Sequence, residues 1–385
     1  MKKSFRTGFL LGVVLTLVLV LGIGMGIYLS MPDGKTVSEK SSSKMNVLEQ
    51  LIDAYYFGDI NQQKMTDGTY KGLVDGLGDP YSEYFTKEEY EEQIKESSGK
   101  YVGIGAIVTQ NEKNGIISIV RVLDNSPAKD AGLKSGDILA QVEGKDVTGQ
   151  DLSKVVSKIK GKEDTKVKIK ILDPKTAKYR EVTLVRRAVD APTVDSKIID
   201  KKNKIGYIVI TEFDANTATQ FEKHLEKLQK KGAKGIIFDL RNNPGGVYEV
   251  VCQMLDDILP KGIVVFTKDK NGNKEEKTSD AKCLKVPMVV LQNEGSASAS
   301  EIFAGAIQDY GVGKIVGTQS YGKGVVQNVF PLSDGSALKL TIRKYYTPKG
   351  RDINNKGITP DVKVENGKKD NQLDTAISIL KKEVK

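Results

Sequence analysis

Residues 8–30, GFLLGVVLTLVLVLGIGMGIYLS, carry no charged side chain, and at about 1.5 Å per residue the stretch spans a hydrocarbon layer of about 30 Å. Lys2, Lys3 and Arg6 precede it, and no acidic residue falls before residue 31. The positive-inside rule then keeps the N-terminus cytoplasmic and exports the chain beyond residue 30. A cleaved signal peptide has an apolar core of about 7–15 residues and an Ala-x-Ala-like exit. Neither is found, so an uncleaved single-pass anchor is expected. Residues 31–43 are polar and rich in Ser and Lys, a linker. Beyond it Met45, Leu48, Leu51, Ile52 and Tyr55 recur at helical spacing. An amphipathic helix standing alone needs cover, and a second copy of the same arm is a candidate, which makes the chain a candidate homodimer.

Residues 60–100 read as mainly helical, with GLGDPYSEYFTKEEYEE placing a Gly-Asp-Pro turn before an acidic helix. From 100 to 188 the texture changes to short strands, YVGIGAIV, GIISIVRV, GDILAQVEG, KVKIKILD and REVTLVRRAV, with one helix at Asp151–Gly161. From 205 strands and helices alternate: IGYIVI, a helix at 216–231, GIIFDL, a helix at 247–259, VPMVVLQN, a helix at 298–309, then KIVG. That order predicts an α/β core on a largely parallel sheet. Strands return at 324–345 and a short helix closes the chain at 371–383.

Rare residues narrow the chemistry. The chain has one histidine, His224, and two cysteines, Cys252 and Cys283. No spacing of a zinc site is present, so no metal and no cofactor are expected. His224 lies among Phe221, Leu225 and Leu228 at helical spacing and is accounted for as a half-exposed helix histidine. The even cysteine count leaves a disulfide and two free thiols equally open. Lys and Arg number 59 against 50 Asp and Glu, a net charge of +9. Part of that excess precedes the apolar segment, and no basic stripe interleaved with aromatics appears, so a nucleic-acid partner is not expected.

The strand VPMVVLQN runs into EGSASASEIFAGAIQD, which sets Ser296, Ser298 and Ser300 where a buried strand turns into a helix. A serine there is presented at the sheet edge beside the free amides of a first helical turn. Ser298-x-x-Glu301 is equally a capping box, a purely structural role. With no usable histidine, the base must come from elsewhere, and SYGKGVVQ offers Lys323 between Gly322 and Gly324. An amine accepts a proton only when neutral, and bringing a lysine from ~10.4 to near 7 costs about 4.6 kcal/mol, which burial away from carboxylates can supply. Gln327 lies four residues on. A regular strand separates the two by ~13 Å, so contact between them requires a bend. Gly317-Thr-Gln-Ser-Tyr-Gly322-Lys323 also matches the opening of a phosphate-binding loop, but Gly324 stands where a magnesium-holding Ser or Thr belongs and a strand follows in place of a helix. In GIIFDLRNNPGGVYEVV, Gly245 and Gly246 either open the backbone to a substrate carbonyl or simply make a strand-to-helix turn.

Taken together, GLGDPYSEYFT, YVGIGA, DLRNNPGG, GSASASEIFAGAIQDYG, SYGKGVVQ and YYTPKGRDINNKGITPDV resemble the carboxyl-terminal processing (tail-specific) proteases, over roughly residues 45–382. The resemblance implies a metal-free Ser/Lys endopeptidase with an embedded PDZ domain. It implies Ser298 as nucleophile, Lys323 as general base, Gln327 as its support, and oxyanion donors from the backbone of Ala299, Gly245 and Gly246. Arg241 and Asp309 match further family positions and are expected to serve structure. The residues at 100–188 agree with a PDZ domain. Val102, Gly103, Ile104, Gly105 and Ala106 can offer amides to a terminal carboxylate, and Leu152, Val155, Val156 and Ile159 can wall a pocket for an apolar last side chain.

The expected organisation is a cytoplasmic tip and anchor (1–30), a linker and helical cap (31–98), a PDZ domain (99–188), a crotonase-like α/β protease core (189–365) and a terminal helix (366–385). The expected function is membrane-anchored, extracytoplasmic serine proteolysis. Its partners are protein or peptide substrates with exposed apolar C-termini, the membrane, and an activating partner the sequence does not name. Two other functions use parts of the same chain: a proteolytically inactive PDZ adaptor, and a non-proteolytic crotonase-like acyl hydrolase.

Overall fold

The computed structural model describes residues 39–111, 114–123, 125–280 and 283–384. The span expected at 8–30 lies outside them, and among the described residues no helix is long and apolar enough to cross a membrane. The chain divides into two compact units, Met1–Thr69 and Tyr70–Lys385. In the first, the helix Glu39–Tyr55 forms where the apolar spacing predicts it, and it leaves Met45, Leu48, Leu51 and Tyr55 exposed.

In the second unit, the strands Gly235–Asp239 and Met288–Gln292 are buried at every position, as strands covered on both faces must be. They lie inside a six-stranded sheet ordered Val194–Asp200, Ile205–Ile210, Gly235–Asp239, Met288–Gln292, Gly313–Gly317, Val362–Lys363. The first pair is antiparallel and the rest are parallel. On one face Ile236, Phe238 and Val290 pack against Phe221, Leu225, Val251 and Phe303 from the helices Thr217–Lys230, Tyr248–Asp256 and Ala299–Tyr310. On the other, Ile237, Val289 and Leu291 meet Ala376 and Leu380 of the terminal helix Asn371–Glu383.

The PDZ-type sheet follows the path Ala106–Gln110, Ile117–Val122, Ile138–Val142, Lys166–Asp173, Lys178–Val185. Its helix is Leu152–Ile159, capped by the Asp151 carboxylate, which accepts from the Lys154 N–H at 3.1 Å. The chain enters and leaves this sheet through an antiparallel ribbon, Lys100–Gly103 with Arg187–Asp190.

One element departs from the sequence pattern. Between the helix Tyr248–Asp256 and the strand Met288–Gln292 lies a hairpin, Gly262–Asp269 with Lys274–Ser279. Its second strand, KEEKTS, is polar and sits at a sheet edge, so it carries no apolar alternation to announce it. The hairpin joins a five-stranded sheet in which Ala337–Tyr346 pairs with Gly262–Asp269, Val325–Pro331 and Glu83–Phe85. That sheet brings the Gly-Asp-Pro turn, far off in sequence, beside the strand Ala337–Tyr346, which also pairs with the strand carrying Gln327.

Candidate active site

The turn after Met288–Gln292 separates its three serines by burial and bonding. Ser296 and Ser300 are each 1% exposed. The Ser296 hydroxyl donates to the Leu240 carbonyl at 2.8 Å and the Ser300 hydroxyl to the Asn243 carbonyl at 3.0 Å. Of the three, only Ser298 lines the cavity of about 890 Å³ beside the sheet. It adopts φ 55° and ψ −114°, a conformation that costs an L-residue about 1–3 kcal/mol and that concentrates at functional turns. Capping and presentation coexist, since the Ser298 N–H donates to the Glu301 carboxylate at 2.8 Å while the residue opens the helix Ala299–Tyr310.

Glu301 does far more than cap. Fully buried, its carboxylate also accepts from the Ser320 hydroxyl at 2.6 Å, the Gly322 N–H at 2.7 Å and the Lys323 N–H at 2.9 Å. Burial pushes its carboxyl above the ordinary range, against the pull of these bonds. A second tie comes from Tyr345, whose hydroxyl lies within hydrogen-bonding reach of the carbonyls of both Ser298 and Lys323. The main chains of Ser298 and Lys323 are thus clasped together at two points.

The side chains are not. Among the described residues no hydrogen bond joins Lys323 Nζ to the Ser298 hydroxyl; the amine stands 4.7 Å from the centroid of the Tyr81 ring. Burial holds the Lys323 amine below the ordinary lysine range, Lys339 pushes the same way, and Asp79 and Glu301 pull against it. Gln327 lies at a bulge between Val326 and Gln327, the bend the spacing required. Its amide nevertheless donates to the Thr341 hydroxyl at 3.0 Å and not toward Lys323. After Gly324 the chain continues as the strand Val325–Pro331, so no helix opens where a phosphate-binding loop needs one.

Gly245 and Gly246 line the same cavity at φ 103° and 141°. A Cβ on Gly245 would fall 2.8 Å from Ser298 Cβ and 3.0 Å from the Ala299 nitrogen, so only glycine lets this loop close on Ser298. The Gly245 amide, expected to face a substrate carbonyl, donates to Asn243 Oδ1 at 2.9 Å within its own loop. Of the three expected donors, Gly245 is thus engaged within its own loop.

A groove of about 670 Å³ runs beside the PDZ sheet, lined by Gly103 through Val108 and by Val156, Ile159 and Lys160. Of the residues expected there, Gly103, Ile104, Gly105, Ala106, Val156 and Ile159 line it. Three do not. Val155 is fully buried in the PDZ core and Leu152 packs against that core. Val102 pairs with Ala188 in the entry ribbon. A helix turns about 100° per residue, so its pocket-facing stripe is narrower than its apolar stripe. Glu212 and Asp214 line both this groove and the cavity of Ser298.

Arg241 is held between Asp239 at 2.6 Å and Asp370 at 2.7 Å. Asp309 accepts from the Lys349 N–H at 2.8 Å and pairs with Arg351 at 2.6 Å. His224, expected to be half-exposed, is 9% exposed, with Nδ1 2.7 Å from the Ser196 hydroxyl. Both cysteines are free thiols.

A strained serine on a strand-to-helix turn, sharing a cavity with a partly buried lysine and a wall with a peptide-sized groove, defines a serine hydrolase carrying a peptide-binding module. Comparison with known proteins narrows this. Residues 204–364 match the model of peptidase family S41, 118–173 that of a PDZ domain and 29–89 that of the activating protease CtpB N-terminal domain. A probable CtpA-like serine protease of Staphylococcus epidermidis is 35% identical over 366 residues, covering 93% of this chain and 73% of that protein. One from Staphylococcus haemolyticus is 36% identical over 365 residues, covering 92% and 71%. Among solved structures, a photosystem II D1 C-terminal processing protease is similar at TM-score 0.51 and 26% identity, covering 88% of this chain and 91% of its own. The chain belongs to peptidase family S41 and is a serine protease of the C-terminal processing type with a PDZ domain.

Proposed function

We propose that the chain is an extracytoplasmic endopeptidase, anchored by residues 8–30, that captures apolar C-termini in its PDZ groove and cleaves with Ser298 and Lys323. Within this assignment residues 31–98 are linker and cap, 99–188 the PDZ domain, 189–365 a crotonase-like protease core and 366–385 a terminal helix. The exposed apolar face of Glu39–Tyr55 serves pairing with a second copy. The observation that carries the proposal is that Ser298, strained and cavity-facing, is clasped through Glu301 and Tyr345 to the segment bearing an amine whose proton burial loosens.

Catalysis begins when the neutral Lys323 amine swings from Tyr81 to the Ser298 hydroxyl and takes its proton. The serine oxygen adds to the peptide carbonyl, and the amides of Gly246 and Ala299 receive the developing negative charge. Lys323 returns the proton to the departing amine, leaving an acyl-enzyme. Water then adds to the ester with the same amine as base, and Ser298 leaves as its hydroxyl. Gln327 orients the amine after letting go of Thr341.

The test is incubation of the purified chain with an unfolded protein, fragments being read by mass spectrometry. Wild type is expected to release them, and Ser298→Ala and Lys323→Ala to release none while still binding an apolar C-terminal peptide. Retained turnover in S298A removes the assignment.

A further inference from the structure

The Gly78–Ser82 turn, which in sequence only punctuates a helix, reaches Lys323. Its Tyr81 ring lies 4.7 Å from Lys323 Nζ. The Ser82 hydroxyl donates to Asp79 at 2.6 Å and accepts from the Thr341 N–H at 3.1 Å, while the Thr341 hydroxyl takes the Gln327 amide. One turn is therefore wired to both side chains assigned to serve the nucleophile.

An aromatic face attracts an ammonium through its quadrupole and has no comparable hold on a neutral amine. The charged groups facing Lys323 are Asp79 from the turn, Glu301 from the nucleophile helix and Lys339 from the strand Ala337–Tyr346. Asp79 is engaged by Ser82, and Glu301 by its four donors. Neither forms an ion pair with the amine among the described residues, which leaves the ring as its partner. Tyr81 itself lies among Tyr321, Glu301 and Asp79, and burial, with these neighbours, pushes its phenol above the ordinary tyrosine range.

We propose that Tyr81 is a positioning residue for the base: its ring holds the protonated amine off Ser298 and releases it once the amine is neutral. Loss of the proton and the swing onto the hydroxyl then become one event. The inference rests on Lys323 being the base.

The experiment measures the rate at which a fluorophosphonate labels Ser298 in the full chain as a function of pH, for wild type, Lys323→Ala, Tyr81→Phe, Tyr81→Leu and Tyr81→Met. Without a ring the cation loses its support, so the acid limb of Y81L is expected to move about one pH unit toward acid, about tenfold faster labelling at a given pH on the limb. Y81M provides a ringless side chain of different shape and is expected to follow. Y81F keeps the face and is expected to hold the wild-type limb. A limb in Y81L and Y81M that stays in place or moves toward alkali, with K323A unreactive, overturns the role of Tyr81 alone. Labelling of K323A at the wild-type rate overturns the assignment of the base and this inference with it.

Discussion

Ser298 is set apart by its backbone as much as by its place in the cavity. At φ 55° and ψ −114° it occupies a region that glycine enters freely and other residues do not. Ser298→Gly is therefore expected to raise the free energy of unfolding in urea by about 1–3 kcal/mol while abolishing cleavage. Ser298→Ala, equally inactive, is expected to show no such gain; equal midpoints for the two variants would show the turn to be unstrained. In sequence Ser298 stood equally as a helix cap, and only the resemblance to the carboxyl-terminal processing proteases singled it out from Ser296 and Ser300. Glu301 was legible only as a cap. Its bonds to Ser320, Gly322 and Lys323 join segments distant in the chain, and no local spacing encodes them. Tyr345 and Tyr81 escaped for the same reason: an aromatic in a strand or a turn looks like core until its neighbours are known.

Among elements, the alternation of strand and helix from residue 205 onward makes most of the α/β core legible in sequence, because all-apolar strands such as GIIFD admit few other placements. What the pattern did not reveal was what secures the terminal helix. Beyond the packing of Ala376 and Leu380, the helix is pinned at its start by Asp370, which accepts from Arg241 and from the Leu373 N–H. Arg241 holds the Asp370 carboxyl below the ordinary range, with burial opposing. For an acid whose folded pKa is depressed, the stabilisation is present above the unfolded value of about 3.9 and is lost as pH falls through the folded one. Hydrogen-exchange protection across Asn371–Glu383 is accordingly expected to decline as pH drops below about 4. Arg241→Ala is expected to bring the same loss at neutral pH. Unchanged protection in R241A would assign the docking to apolar packing alone.

At the scale of the whole molecule, the PDZ-type sheet and the α/β core were each recognisable in sequence, whereas their shared lining residues Glu212 and Asp214 were not, since two acidic residues after a strand form no pattern. A ligand that binds only the folded groove must stabilise the unit containing it. An apolar C-terminal peptide at about a hundredfold excess over its dissociation constant is expected to add about 2.7 kcal/mol, read as a rise in unfolding temperature. Val156→Glu, on the groove, is expected to erase that rise; a rise that persists would move the binding surface elsewhere. The grip of Glu301 on two stretches of main chain has a consequence for how such an enzyme is switched. With the backbone around Ser298 and Lys323 held by one carboxylate, the distance between hydroxyl and amine changes through rotations about the single bonds of the two side chains. Bringing the two groups together is then a matter of rotamers, with no rebuilding of the frame that holds them.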